Sequence, residues 1–308
     1  MLCHRHCGID RTKKTGYCGM TDRLFAARAA LHFWEEPCIS GESGSGTVFF
    51  SGCSLRCAYC QNHDIALGLS GKGIDPSRLA EIFLELQEKG AANINLVTPT
   101  HYVPSIIVAL ERARNYGLIL PVVYNTGNYE TLSTIKMLEG FVDVYLPDFK
   151  YWSQETAIRY SAAPNYAAHA AQNIAEMFRQ VGEAQFAAPQ GNDKVTGAKQ
   201  KEESETCLMT RGLIVRHLLL PGALSDAKNI IRSLYETYGD AIYLSILNQY
   251  TPIAKNLFDF PELNRKITQA EYDEVVDYAI ELGVENAFIQ EGETAEESFI
   301  PDFCGEGI

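Results

Sequence analysis

"TVFFSGCSLRCAYCQN", residues 47 to 62, joins a short apolar run of β-branched and aromatic residues to three cysteines at 53, 57 and 60. The run reads as a strand, and Gly52 gives the backbone room to turn directly after it. Three thiols on one short loop make a metal trap, yet a closed zinc site or a ferredoxin-type cluster takes four protein ligands. This loop stops at three, and no further cysteine follows until Cys207. A cubane held at three corners leaves its fourth iron open, a Lewis-acid position that a fully thiolate-ligated cluster lacks. A structural zinc site completed by His63, or plain buried thiols, are the alternative readings. The spacing CxxxCxxC argues against both, because zinc knuckles favour paired CxxC units and bacterial ferredoxins use CxxCxxC followed by a fourth cysteine.

Similar runs recur along the chain: "NINLVTP" at 93, "PVVYNTG" at 121, "VDVYLPD" at 142, "LIVRHLLLPG" at 213 and "AIYLSILNQY" at 241. The segments between them carry helix punctuation. In "DPSRLAEIFLELQEKG" Asp75 caps, Pro76 takes the first helical position and Gly90 ends the helix. Alternation of strand and helix implies βαβ units, and strands that are nearly all apolar imply a parallel sheet covered by helices. Right-handed crossovers curl such a sheet toward a barrel. The expected fold class is α/β, a partial barrel of six βα units open on one side. The cysteine loop then falls at the carboxyl end of the first strand, where α/β barrels build their active sites.

Residues 1–46, rich in Cys, His, Arg and Gly, read as an ordered cap outside the repeat, 47–260 as the barrel core and 261–308 as a C-terminal helix, strand and tail. Thr268 and Glu271 have capping-box spacing ahead of a helix that Gly283 stops, and "NAFIQEG" follows as a seventh strand-like run. A helix is expected from Pro164 to Val181. The polar stretch "QGNDKVTGAKQKEESET" reads as an exposed loop; the C-terminal strand, the "GESGSG" loop and the 186–206 loop are expected to line or cover the open side of the barrel, and the tail "ESFIPDFCGEGI" is assigned no place. The run "GESGSG" at 41 reads as plain linker without a chemical role.

The 308 residues hold 26 Lys plus Arg against 39 Asp plus Glu, a net charge of -13. That field repels phosphate backbones and anionic membrane surfaces, so no nucleic acid and no membrane is expected as a partner. No apolar run approaches the ~18 residues of a membrane span. Nine cysteines is an odd number, and no cationic stretch leads into an apolar signal core. A secreted disulfide framework therefore fits poorly, and a reducing cytoplasm is the expected location.

With Tyr59 before the last of its three cysteines, the loop resembles that of the radical S-adenosylmethionine (radical SAM) superfamily, whose hallmark is CxxxCx(aromatic)C after the first strand of a TIM-barrel-like, partial (β/α)6 barrel. "HFWEEPCISGESGSGTVFFSGCSLRCAYCQN", "VTPTHYVP", "YLPDFKYW" and "FIQEGETAEESFIPDF" resemble the branch related to the pyruvate formate-lyase activating enzyme, a likeness that runs over nearly the whole chain. The resemblance implies a [4Fe-4S] cluster on Cys53, Cys57 and Cys60, with S-adenosylmethionine chelating the open iron. Reductive cleavage of the C5'–S bond would give a 5'-deoxyadenosyl radical that abstracts hydrogen from a substrate. Implied partners are a reduced flavodoxin or ferredoxin-type electron donor and a protein substrate such as a glycyl-radical enzyme, making the chain an oxidoreductase of the activase kind. The alternatives are an iron–sulfur electron carrier or sensor without S-adenosylmethionine turnover, and a zinc-stabilised interaction module.

The same resemblance assigns residues to each strand end. Tyr59, Cys60 and Gln61 would lie against the adenine, although Tyr59 reads equally as a core aromatic. After the second strand, where most relatives carry a glycine pair followed by glutamate, this chain has "TPTHY". Thr98 and Thr100 are the expected acceptors there, and His101 reads as a hydrogen-bonded pocket wall. Asn125 and Thr126, in "NTG", are expected on ribose hydroxyls or the methionine carboxylate, or in turn chemistry alone. Asp148 and Lys150 lie two apart on an extended chain and so project to one face, as cofactor contacts or as a surface salt bridge. Arg216 stands in an apolar strand, which is expensive unless the guanidinium is paired or meets an anion, while His217 faces the other way. "LNQY" replaces the histidine that relatives often carry after the sixth strand.

Cys3, Cys7 and Cys18 form a second group of three, expected to hold zinc with His4, His6 or Cys38, or a second iron–sulfur cluster, the alternative being unliganded or transiently oxidised thiols. The resembling sequences commonly carry another cysteine three positions before the one matching Cys3, so the true start is expected a few codons upstream of Met1.

Overall fold

The first strand is one that the sequence reading leaves inside the cap. Leu24–His32 forms β1, which pairs antiparallel with β2, Ser45–Phe50, setting Ala29 opposite Val48. Its core is rich in alanine, a poor strand former taken alone, and burial between β2 and the helices decides the outcome. Between the two strands lies a single turn of helix, α1, Pro37–Ser40. The structure is a computed structural model that describes residues 1–187, 207–253, 257–290, 301 and 303–308.

After the cysteine loop come α2 (His63–Ala66) and β3 (Lys72–Ile74), which adds to the outer edge of β1. The βα repeat then runs through α3 (Pro76–Glu88), β4 (Ile94–Val97), α4 (Val103–Asn115), β5 (Val122–Thr126), α5 (Leu132–Met137) and β6 (Val144–Pro147). Two helices, α6 (Gln154–Ser161) and α7 (Tyr166–Val181), and a short β7 (Gln185–Ala187) lead into β8, Leu208–Leu218. The chain closes with α8 (Leu224–Tyr238), β9 (Tyr243–Leu247), α9 (Gln269–Leu282) and β10 (Ala287–Ile289). Asp75 caps α3, its Oδ1 accepting from Arg78 N at 2.8 Å, and Thr268 and Glu271 form the capping box of α9.

Strands β2, β4, β5, β6, β8, β9 and β10 pair in parallel, each beside the next in sequence. Sequential order with right-handed crossovers puts the connecting helices on one face and leaves the other to curl around an interior. The six expected strands are β2, β4, β5, β6, β8 and β9, and "NAFIQEG" supplies β10 as a seventh; the result is a partial α/β barrel. Among the described residues no helix is long and apolar enough to cross a membrane.

Strict alternation sorts the side chains. Val48, Leu96, Tyr124, Tyr145, Val215 and Ile246 turn to the helices and join the large outer core. Their neighbours Val123, Val144, Leu146 and Ile214 turn inward and pack against Cys38 and Ile39 of α1, so α1 plugs the interior. The "GESGSG" run is therefore no linker. Ser45 and Gly46 begin β2, and a Cβ on Gly46 would stand 2.7 Å from Asn93 O. The cap boundary at 46 likewise falls within continuous structure, since β1 and α1 both pack on the barrel strands. The stretch 190–206 and residues 291–300 of the tail lie outside the described residues.

Candidate active site

Cys53, Cys57 and Cys60 follow β2 directly and line a cavity of about 420 Å³. The loop reaches this position because Gly52 adopts φ +87°, where a Cβ would stand 2.2 Å from Met20 Cγ and 2.7 Å from Cys18 O. Arg5 fastens the loop from the amino-terminal segment. Its Nε donates to Ser54 O at 2.5 Å, and its Nη2 donates to Leu55 O at 3.1 Å and Ser161 O at 2.6 Å.

Burial, and then the neighbouring Cys57, push the Cys53 thiol up to about 11, and burial pushes Cys60 higher still, with Cys57 and Cys53 adding to it. Three thiols in one desolvated place cannot ionise together unless positive charge joins them. The loop is prepared for that charge. Leu55 N donates to Cys53 Sγ at 3.4 Å, and Lys150 favours the thiolates of Cys53 and Cys60. This donor set fits an iron–sulfur cluster, whose sulfurs accept backbone hydrogen bonds. His63 does not join the three thiols, because it is not among the side chains that line their cavity. Among the described residues no three His, Cys, Asp or Glu side chains converge tightly enough to share a single ion.

Across the cavity a charged layer spans the strands. Lys150 Nζ meets Asp148 Oδ2 at 2.7 Å, and Arg216 Nε stands 3.4 Å from Asp148 Oδ1. Arg216 also donates from Nη1 to Glu35 Oε2 at 3.1 Å and from Nη2 to Asn125 Oδ1 at 2.6 Å. Glu35 Oε1 accepts from Asn95 Nδ2 at 2.9 Å and from Asn125 Nδ2 at 3.3 Å. Burial pushes the Asp148 carboxyl up, but Lys150 and Arg216 outweigh it and hold it below the usual range. Burial alone would lower both cations, and Asp148 reverses this for each, with Glu35 helping at Arg216. All of these side chains are largely buried, so the pairing answers the desolvation of each.

The cavity gathers Tyr59, Gln61, Thr98, Asn125, Asp148, Lys150 and Arg216 with the three cysteines. Tyr59 serves as a core aromatic as well, edge-on to Tyr151, Tyr160 and Tyr250 at 6.2 to 6.3 Å. Gln61 Nε2 donates to Gln249 O at 2.7 Å, which ties the loop to the end of β9. Thr98 holds φ +58°, a left-handed conformation rare for a β-branched residue and concentrated at functional positions.

Two expected residues belong elsewhere. Thr126 follows Tyr124 by two positions, so alternation turns it outward, and its hydroxyl bonds Glu130 Oε1. Thr100 Oγ1 donates to the same oxygen at 2.6 Å, as does the Tyr124 hydroxyl at 3.1 Å. Glu130, fully buried, is thus a structural hub behind β5 that sequence reading missed. His101 is buried beside the cavity rather than lining it, with Nε2 on Ser51 O at 2.8 Å, and His217 packs away from it with Nδ1 on Phe149 O at 2.7 Å. Sequence reading also missed Glu35 and Glu36; the signal was two adjacent carboxylates just before Pro37 and the first barrel strand.

In the amino-terminal group, Cys18 Sγ and Cys7 Sγ lie 3.4 and 3.6 Å from where Gly16 would carry a Cβ, and Tyr17 N donates to Cys7 Sγ at 3.3 Å. Burial raises the Cys3 thiol, and Cys18 and Cys7 add to the rise. Cys38 is remote from them, inside the barrel. His4 stacks on His169 with ring centroids 3.4 Å apart.

Residues 39–157, which carry the cysteine loop and strands β2, β4, β5 and β6, match the family model of a 4Fe-4S single cluster domain. The uncharacterized protein MJ0674 of Methanocaldococcus jannaschii is 27% identical over 287 residues, covering 90% of this chain and 73% of that protein. Crystal structures of SuiB from Streptococcus suis align over 78% of this chain when bound to S-adenosylmethionine (TM-score 0.49, 12% identity) and over 74% when bound to precursor peptide SuiA (TM-score 0.47, 11% identity). The chain spans 48% and 43% of those two structures, about half their length. The segment from 39 to 157 is thus similar to domains that carry a single four-iron, four-sulfur cluster.

Proposed function

We propose that the chain is a radical S-adenosylmethionine enzyme. The observation that carries this reading is a three-thiol loop at the carboxyl end of the first parallel strand, opening on the same cavity as Asn125, Asp148, Lys150 and Arg216, with no fourth cysteine on that cavity among the described residues. When bound, a reduced [4Fe-4S] cluster with S-adenosylmethionine would supply a 5'-deoxyadenosyl radical for hydrogen abstraction. The protein's part is position, dryness and charge. Cys53, Cys57 and Cys60 hold the cluster, and Tyr59 and Gln61 form the wall beside it. Asn125, Asp148 and Lys150 offer hydrogen bonds and charge to ribose hydroxyls and to the cofactor's ammonium and carboxylate. Thr98 offers its hydroxyl from a strained turn, and Arg216 holds the acidic side chains in register. Thr100 and Thr126 drop out of this set because both are spent on Glu130.

Anaerobic reconstitution with iron and sulfide, reduction, and an assay for 5'-deoxyadenosine test the reading. Product from the wild type and none from Cys57→Ala supports it. A cluster whose electron paramagnetic resonance spectrum ignores S-adenosylmethionine supports the carrier or sensor instead.

Three finer assignments belong to the same proposal. The likeness to the pyruvate formate-lyase activating branch supports a glycyl-radical protein as substrate, tested by the appearance of a glycyl radical when partner and reduced enzyme are mixed. A flavodoxin or ferredoxin-type protein is the proposed electron donor. Cys3, Cys7 and Cys18 are proposed to draw together on zinc or a second cluster, which metal analysis of a Cys7→Ser, Cys18→Ser variant checks.

A further inference from the structure

The inner layer of the cavity holds one carboxyl more than its cations match. Glu35 and Asp148 are paired with Arg216 and Lys150, two acids with two bases. Glu36, next to Glu35, also lines the cavity and is only 7% exposed, yet its Oε2 has no hydrogen-bond partner among the described residues. Ser245 on β9 lines the cavity beside it, 1% exposed and near enough for its hydroxyl to oppose the rise in the Glu36 pKa, yet its Oγ meets no partner in full hydrogen-bonding geometry among the described residues. Buried polar atoms normally find partners, because each gives up its hydration on folding. Two such atoms facing one cavity mark a place shaped for something else.

The chemistry of that place is specific. An anionic group would meet Glu35 and Glu36 together and be repelled. A cationic nitrogen would give Glu36 a counter-charge of its own, since Arg216 spends its ion pairs on Glu35 and Asp148, and would direct a second N–H to Ser245 Oγ. Ser245 lies in the middle of β9, whereas the cysteine loop and Gln249 lie beyond the strand ends, so this place is deeper in the barrel than the cysteines. We propose that Glu36, with Ser245 beside it, anchors an ammonium group of the molecule that reacts. This rests on the radical reading for what then happens to that molecule, but not for the binding itself. Burial raises the pKa of Glu36 and Glu35 adds to the rise, against the opposing pull of Arg216, so the uncharged carboxyl is favoured and capture of a cation drives release of its proton.

The test uses the full chain, anaerobically reconstituted, with butylammonium as probe and 1-butanol as its neutral counterpart. Infrared difference spectra should show a protonated-carboxyl band that is absent from Glu36→Gln and that butylammonium removes while 1-butanol does not. Butylammonium should bind Glu36→Gln at least tenfold more weakly than wild type, and Ser245→Ala a few-fold more weakly. Equal binding of amine and alcohol, or a band that persists with bound amine, overturns the proposal. A second titration follows the cluster spectrum with S-adenosylmethionine. A wild-type midpoint in Glu36→Gln supports an anchor for the reacting molecule, whereas a tenfold shift assigns Glu36 to the cofactor and overturns it. Failure of 5'-deoxyadenosine formation with intact amine binding would remove the radical reading and leave this site standing.

Discussion

Arg216 of β8 and Glu35, 181 positions earlier in the chain, meet at 3.1 Å inside the barrel, and the same guanidinium reaches Asn125 and Asp148. The contact ties the segment ahead of α1 to strands β5, β6 and β8. Arg216→Leu leaves two buried carboxylates without their shared partner. It should destabilise the protein by about 3 to 5 kcal/mol, measured by urea unfolding, and Arg216→Lys should recover little because one ammonium cannot reach three acceptors at once.

Gly52 sits where a Cβ would collide with Met20 and the Cys18 carbonyl at φ +87°. Gly52→Ala should displace the cysteine loop. The expected result is iron content after reconstitution reduced well below the wild-type value, with the far-ultraviolet circular dichroism unchanged.

Thr98 adopts a positive φ that glycine takes freely. Thr98→Gly should stabilise the fold by about 1 kcal/mol in denaturant titration. Thr98→Val keeps the strain and removes the hydroxyl, so weaker binding of S-adenosylmethionine at unchanged stability would assign the hydroxyl to the cofactor.

Burial depresses His101 to about 4, against the hydrogen bond to Ser51 O that opposes it. Between its ordinary value near 6.5 and about 4, the unfolded chain binds a proton that the folded chain refuses. Stability should therefore fall as pH drops through that window, by up to about 3 kcal/mol from this residue. His32, also depressed to about 4 by burial and then by Arg28 and Arg216, adds to the slope. Unfolding midpoints measured from pH 7 to 4 should decline less steeply in His101→Gln.

Glu36 has the opposite sign, because its pKa is raised in the folded state. Its contribution is lost as pH rises above the ordinary carboxyl value, since the unfolded chain ionises first. Glu36→Gln should be more stable than wild type at neutral pH, and the difference should vanish on acidification. Paired thermal scans at pH 4 and pH 7 check this.

Much of the architecture was legible because it depends on local rules. Apolar runs with Gly and Pro punctuation located seven parallel strands, and Asp75, Thr268 and Glu271 cap the helices that their spacing predicts. β1 was not legible, because its alanines gain strand character only from burial beside β2. Thr126 shows the limit within a single strand. "NTG" placed it at a strand end, but the phase of alternation, set by which face of β5 meets the helices, sends Asn125 into the cavity and Thr126 to Glu130.

The sequence by itself determined the succession of parallel strands, the caps of α3 and α9 and the placing of Cys53, Cys57 and Cys60 on one loop after a strand, because each follows from periodicity, capping and spacing over a few residues. Only the tertiary structure decided that α1 fills the barrel, that Glu35 neutralises Arg216, and that Glu36 Oε2 and Ser245 Oγ are buried side by side without a well-formed hydrogen bond among the described residues. Those outcomes join residues tens to hundreds of positions apart, and their energies arise from desolvation and charge pairing that no single segment contains.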